Sequence, residues 1–124
     1  MGMRGIRGAI TVEADTREEI VSSTKWLLEE MVSRNDIIPE DIASVIITTT
    51  EDLNSTFPAQ AARLLDGDGW QYVPLMCARE IPVPGGLPLC VRVMMHVNTG
   101  KTAKEIQHVF LRDAVKLRPD LTNR

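Results

Sequence analysis

The chain has 124 residues, 44% of them hydrophobic and 25% charged, which is the composition of one folded globular domain spanning residues 1–124. Its formal net charge of −3, with basic residues scattered along the chain, argues against a nucleic-acid partner and against anionic membranes. It has no apolar run of transmembrane length, and residues 1–10 lack the apolar core of a signal peptide, so we expect a cytoplasmic protein.

The N-terminal part of the chain is predicted to form a strand followed by a helix. Residues 4–12 alternate between apolar and other side chains, as in a strand, and the two glycines among them indicate a close backbone approach. Thr16 and Glu19 have the spacing of a capping box, and apolar residues then recur at helical intervals. We expect the helix to end near Asn35 in a left-handed conformation, and a short turn to follow at residues 39–41.

The central part is predicted to add two strands and a second helix. Residues 45–50 are rich in β-branched side chains, which favours a strand, and residues 57–65 are predicted to form a helix with a proline in its first turn. Residues 66–69 are predicted to form a turn, and residues 70–76 a third strand. The segment 81–88 is rich in proline and glycine, which predicts a loop.

The C-terminal part contains the clearest strand, residues 90–98, in which arginine, methionine and histidine alternate with apolar residues. A second capping box begins a short helix at Thr102, and residues 108–111 and 113–117 are predicted to form a last strand and a helical turn. We expect residues 118–124 to be a tail that is mobile in the absence of a ligand. Strands therefore alternate with helices, and the chain is predicted to be of mixed α and β class.

Familiar catalytic signatures are incomplete in this sequence. Gly100-Lys101-Thr102 resembles the end of a phosphate-binding loop, but Met95 occupies the position where that loop requires glycine. The two histidines are far apart and have no clustered ligands, so we expect no metal site and no cofactor. Cys77 and Cys90 do not form a CxxC pair, so we expect reduced thiols.

Several short blocks, in the same order and without long insertions, resemble one known family over nearly the whole chain. They are Arg4-Gly5-Ile6-Arg7-Gly8-Ala9, Phe57-Pro58-Ala59 with Ala62-Arg63, Trp70-Gln71-Tyr72-Val73-Pro74 leading to Cys77 and Glu80, Arg92-Val93-Met94-Met95, and Leu117-Arg118-Pro119-Asp120-Leu121. This pattern resembles the small, trimeric, non-helical chorismate mutases of bacteria. The resemblance implies an α+β fold with a mixed β-sheet and helices on one side, in pseudo-α/β-barrel subunits that form a homotrimer.

The resemblance also implies the reaction and the residues that perform it. Chorismate would be rearranged to prephenate, without a cofactor, in active sites at the subunit interfaces. Arg92 matches the cation that contacts the breaking ether oxygen, Arg7 the arginine that holds the side-chain carboxylate, and Glu80 the acceptor for the ring hydroxyl. The positions that match further substrate contacts are Cys77, Phe57, Arg63, Phe110, Leu117, Arg118 and Gln60.

The sequence departs from the family pattern at two positions. Many relatives have tyrosine where Phe110 stands, and its hydroxyl contacts the carboxylate bound by Arg7. Many also have lysine at the position of Gln60, near the mouth of the site. Both departures concern substrate affinity more than the type of reaction.

The chemistry of such a rearrangement fits a sequence with arginines and no acid–base dyad, because the reaction is intramolecular and needs no proton transfer. Taken singly, each of these residues has an ordinary structural explanation, such as a solvated arginine on a strand. Two other functions therefore stay open: a trimeric protein that binds carboxylate metabolites without transforming them, and an enzyme resembling the trimeric imine deaminases.

Overall fold

A computed structural model describes residues 2–65 and 69–117 of the chain. The regular elements are β1 (Gly2–Thr11), α1 (Arg17–Arg34), β2 (Ile42–Thr49), β3 (Leu75–Arg79), β4 (Cys90–Thr99) and β5 (Val109–Leu111). Short 3₁₀ segments lie between and after them, at Pro39–Asp41, Pro58–Leu64, Trp70–Tyr72, Ala103–Glu105 and Arg112–Lys116. No helix among the described residues is both long and apolar enough to cross a membrane.

The strands form one five-stranded sheet in the order β3-β2-β4-β1-β5. The central strand β4 is antiparallel to β1 and β2, whereas β1 pairs with β5, and β2 with β3, in parallel. Helix α1 and the segment Pro58–Leu64 pack against each other on one side of this sheet. The predicted α+β class, with a mixed sheet and helices on one side, is confirmed.

Helix α1 has the predicted N-cap at Thr16 but only half of the predicted capping box, and it ends differently from the prediction. The hydroxyl of Thr16 accepts the N–H of Glu19 at 3.2 Å, but the Glu19 carboxylate accepts the N–H of Glu13 and not that of Thr16. This contact with the Glu13 N–H lowers the pKa of Glu19. At the other end, the left-handed residue is Asp36, with φ of 54°, whereas Asn35 has φ of −113°.

Asn35 has a different task from the one predicted, because its side chain is buried and fully hydrogen-bonded. Its amide nitrogen donates to the carbonyl oxygens of Met31 and Gln107, each at 2.8 Å, and its amide oxygen accepts the N–H of Gln107 at 2.7 Å. These bonds join the end of α1 to the segment that leads into β5.

The third strand lies later in the chain than the predicted residues 70–76. Residues Trp70–Tyr72 form a 3₁₀ turn that begins at Gly69, whose φ of 109° suits glycine, and Trp70 is buried. The strand starts only after Pro74, because proline has no N–H to give to the ladder, while its carbonyl accepts the N–H of Val45 at 2.9 Å. Most of the predicted turn at residues 66–69 and the whole tail 118–124 lie outside the described residues.

One face of the sheet is covered by α1 and the segment Pro58–Leu64, and the other face is more exposed. On β4, Val91, Val93, Met95 and Val97 are buried against the helix side, which confirms the predicted apolar face. The side chains that alternate with them lie on the opposite face, hereafter the open face. This face leaves several large apolar side chains partly exposed, namely Ile46 at 38%, Met94 at 36% and Met76 at 66%.

We predict that Gly8→Ala destabilises the fold by about 1–3 kcal/mol, because the buried ends of the Met31 and Leu27 side chains would have to shift to admit the methyl group. A Cβ at Gly8 would lie 2.4 Å from Sδ of Met31 and 3.2 Å from a methyl carbon of Leu27, and both residues are fully buried. Gly2→Ala in the same strand is the matched control, since no heavy atom lies within 4 Å of its added Cβ. Urea unfolding measures both variants, and equal destabilisation would contradict the prediction.

Candidate active site

A cavity of about 260 Å³ lies on the open face of the sheet. The open-face cavity is lined by side chains from strands β1, β2, β4 and β5 and from the residues that follow β3 and β5. These are Arg7, Ala9, Ile46, Thr48, Glu80, Arg92, Met94, Phe110 and Leu117. Five of the residues predicted to serve the site, Arg7, Glu80, Arg92, Phe110 and Leu117, therefore lie around one cavity.

The register of the strands explains why these side chains meet. Arg92 on β4 lies between Ala9 on β1 and Thr48 on β2, and all three share the open face. Phe110 on β5 is opposite Ala9 on its other side, so the ring adjoins the same row. Arg7 precedes Ala9 by two residues and therefore projects from the same face, where it lies opposite Met94 on β4.

Glu80 is held next to Arg92 by two contacts with β2. Its backbone N–H donates to the carbonyl oxygen of Thr49 at 2.9 Å, which extends the β2–β3 pairing beyond the end of β3. Its carboxylate oxygen Oε2 accepts a hydrogen bond from the Thr48 hydroxyl and lies 3.8 Å from Nε of Arg92. The side chain of Arg92 is 42% exposed and that of Glu80 is 24% exposed. Sequence reasoning missed Thr48, whose only signal was its alternation with buried β2 residues.

Cys90 lies two residues before Arg92 on the same strand, but it is almost fully buried. Burial raises the pKa of the Cys90 thiol to about 11, although the charge of Arg92 acts in the opposite direction. The thiol is therefore protonated at neutral pH and does not neutralise the nearby guanidinium. Cys90 packs in a small apolar cluster with Ala114 and with Ala9 and Phe110, the two members that also line the cavity.

Strand β5, which carries Phe110, is held at both ends by side chains. Before the strand, Nδ1 of His108 accepts the backbone N–H of Arg7 at 2.9 Å, which requires that this nitrogen carry no proton. After the strand, the guanidinium of Arg112 donates to the carbonyl oxygen of Thr11 at 2.9 Å and to Glu19 at 3.0 Å. The short strand is thereby tied to β1 and α1.

The remaining predicted contacts line a different cavity, of about 700 Å³, on the helix side of the sheet. Cys77 pairs with the buried Ile47, so its side chain faces away from the open face that Glu80 occupies. The helix-side cavity is lined by Phe57, Gln60, Arg63 and Cys77, together with Ala59, Ala62, Leu65, Trp70, Gln71, Val73 and Leu75. The single chain therefore divides the predicted site into two groups, and Arg118 lies outside the described residues.

Some residues of the helix-side cavity are accessible in the single chain. Phe57 is 71% exposed, and the amide oxygen of Gln60 accepts a hydrogen bond from Arg17 on α1 at 2.8 Å.

Across residues 2–65 and 69–117, no group of three or more histidine, cysteine or acidic side chains is placed to hold a metal ion. The polar groups that line the two cavities include guanidiniums, one carboxylate, side-chain amides, the Thr48 hydroxyl and the Cys77 thiol.

Comparison with known proteins gives one consistent result. The family model described as chorismate mutase type I matches residues 3–121. Chorismate mutase AroH of Bacillus subtilis (strain 168) is 51% identical over 122 residues, covering 98% of this chain and 94% of the relative. Chorismate mutase AroH of Thermus thermophilus is 53% identical over 120 residues, covering 96% of each protein. A solved chorismate mutase from Clostridium thermocellum superposes with a TM-score of 0.85 at 51% identity, covering 90% of this chain and 96% of that one.

Proposed function

Because the chain belongs to the chorismate mutase type I family, we propose that it is an isomerase that rearranges chorismate to prephenate in aromatic amino acid biosynthesis. We further propose that it acts in the cytoplasm as a homotrimer and that its active sites lie between subunits. The observation that supports the catalytic assignment best is the placement of Arg7, Glu80 and Arg92 around one cavity.

Arg92 is the residue to which we assign the main catalytic effect. In the rearrangement, the C–O bond breaks ahead of C–C bond formation, so negative charge grows on the ether oxygen. A cation that is already in place beside that oxygen interacts more strongly with the transition state than with the ground state. Arg92 is suited to this role because β4 holds its backbone on both sides and arginine stays charged at any working pH.

The other residues of the open-face cavity would select the reactive conformer. Arg7, one rung along the sheet from Arg92, would bind the side-chain carboxylate, and Phe110 and Leu117 would supply apolar walls. The free oxygen of the Glu80 carboxylate would accept a hydrogen bond from the ring hydroxyl. Holding the flexible substrate in its folded form means that part of the entropy is lost on binding and not in the chemical step, which lowers the barrier.

A second subunit would supply the rest of the site. The helix-side cavity opens on the opposite side of the same chain. Its residues Phe57, Gln60, Arg63 and Cys77 therefore cannot contact a ligand that is bound by Arg92 of that chain. When subunits are related by rotation, the open face of one can meet the helix-side cavity of the next, and three such contacts close a ring. The partly exposed Ile46, Met76 and Met94 on the open face are apolar surface that such a contact would cover.

We predict that Arg92→Lys lowers kcat by at least about 100-fold, because an ammonium on a flexible stem does not reproduce the planar, fixed donors of the guanidinium. The loss of chorismate absorbance with time measures turnover. Arg34→Lys on the exposed side of α1 is the matched control and should leave turnover unchanged. Near-normal kcat in Arg92→Lys would contradict the assignment.

We predict that two variants with different defects restore activity when they assemble together. Arg92→Ala removes the cation of the open-face cavity, and Arg63→Glu places a negative charge in the helix-side cavity against a dianionic substrate. In randomly mixed trimers, about a quarter of the subunit contacts would combine two native cavities. Co-expression with two affinity tags isolates the hybrids. If hybrids are no more active than the separate variants, the site does not lie between subunits.

We predict that Phe110→Tyr strengthens substrate binding by about 0.5–1.5 kcal/mol, through a hydrogen bond from the new hydroxyl to the carboxylate held by Arg7. The ring is buried and lines the open-face cavity together with Arg7. The inhibition constant of a dicarboxylate transition-state analogue measures the effect. An unchanged or weaker affinity would show that the missing hydroxyl has no role in this chain.

A further inference from the structure

We infer that Thr48 is a positioning residue whose hydroxyl keeps the Glu80 carboxylate from closing onto Arg92. This inference rests on the proposed function for its kinetic consequence, and on the geometry of the open face for its structural one. Thr48 would act on the reaction only through Glu80 and Arg92.

The three side chains form a compact arrangement at the end of the cavity. Thr48 is the direct partner of Arg92 in the β2–β4 register, and its side chain is half-buried on the open face. Its hydroxyl donates to Oε2 of Glu80, and the same oxygen is the atom that lies 3.8 Å from Nε of Arg92. One carboxylate oxygen is therefore shared between a hydroxyl donor and a more distant cation.

The separation of 3.8 Å is longer than a direct bond between these groups. A guanidinium N–H and a carboxylate in contact are normally about 2.7–2.9 Å apart, and such a pair is strong when partly shielded from water. Glu80 follows the end of β3, an edge strand that pairs only with β2, so no strand of the described chain lies on its other side. A donor on its Oε2 atom is the restraint that the structure provides against that closer pair.

Holding the pair apart has two consequences for the site. Within the described residues no carboxylate bonds directly to the donors of Arg92, so they stay available to an oxygen that gains negative charge. The other Glu80 oxygen stays free to accept a hydroxyl. A closed Arg92–Glu80 pair would lose both effects, since the carboxylate would neutralise the cation where charge develops.

A matched pair of substitutions isolates the hydroxyl. Thr48→Val keeps the shape and the β-branching and removes the donor, whereas Thr48→Ser keeps the donor and removes a methyl group. We expect Thr48→Val to lower kcat about 10- to 100-fold with KM changed less than about threefold, because the loss is that of a hydrogen bond to a charged group. Thr48→Ser should retain kcat within about threefold.

A purely structural role would give the opposite ranking. Valine favours strands more than serine does, so Thr48→Ser should be the less stable variant in thermal unfolding although it is the more active one. If Thr48→Ser is as impaired as Thr48→Val, or if Thr48→Val has native kcat, the inference is wrong.

A crystal structure of Thr48→Val tests the inference without any assay. We expect the Glu80 oxygen to move to about 2.8 Å from a guanidinium nitrogen of Arg92. A separation that stays near the native 3.8 Å would overturn the inference even if turnover falls. Wild-type protein that leaves chorismate unchanged would overturn the proposed function instead, and the crystal structure would still decide the role of Thr48.

Discussion

The site depends on the alternation of side chains along the central strand β4. Val91, Val93 and Met95 point into the core beneath α1. Because side chains alternate along a strand, the intervening Arg92 must lie on the open face. Because β4 is paired on both sides, its backbone cannot shift without breaking two ladders at once. The hydrophobic core therefore sets the position of the guanidinium to which we assign the main catalytic effect.

Among the residues that the structure describes, the groups around Arg92 do not form a direct ion pair with its guanidinium. The Cys90 thiol is nearby, but burial keeps it protonated, so it does not form a thiolate that would compensate the cation. Glu80 is a true counter-charge, yet its Oε2 atom is bonded to Thr48 and lies 3.8 Å from the guanidinium. A cation that is close to, and not joined with, a carboxylate suits a reaction in which a third oxygen acquires negative charge.

The division of the predicted residues between two cavities follows from the same alternation. Cys77 and Glu80 are three residues apart on or just after β3, so they fall on opposite faces. No local rearrangement could bring both to one ligand within a subunit, because a one-residue slip of β3 would move its apolar residues out of the core. The open-face Arg92 side chain is 42% exposed in the single chain, and in the proposed trimer a second copy would cover it and exclude water.

Much of this molecule could be predicted from local patterns. The period of β1 and β4, the N-cap at Thr16, the loop at residues 81–88 and the α+β class all follow from side-chain spacing, because these features depend on residues close in sequence. The third strand was misplaced because β-propensity does not distinguish a turn anchored by the buried Trp70 from a strand. The residue types at the site, and the family to which they point, were also visible in the order of short blocks along the chain.

Tertiary structure alone decided how those residues are grouped. Which side chains share a face depends on strand register, and register joins residues that are far apart, such as Thr48 with Arg92 and Ala9 with Phe110. The contacts from Thr48 to Glu80 and from Arg7 to His108 could not be predicted from the sequence, because each links segments that meet only once the sheet has formed. Local patterns therefore predict most of the elements and all of the chemical groups, whereas long-range pairing sets which of those groups can act on the same molecule.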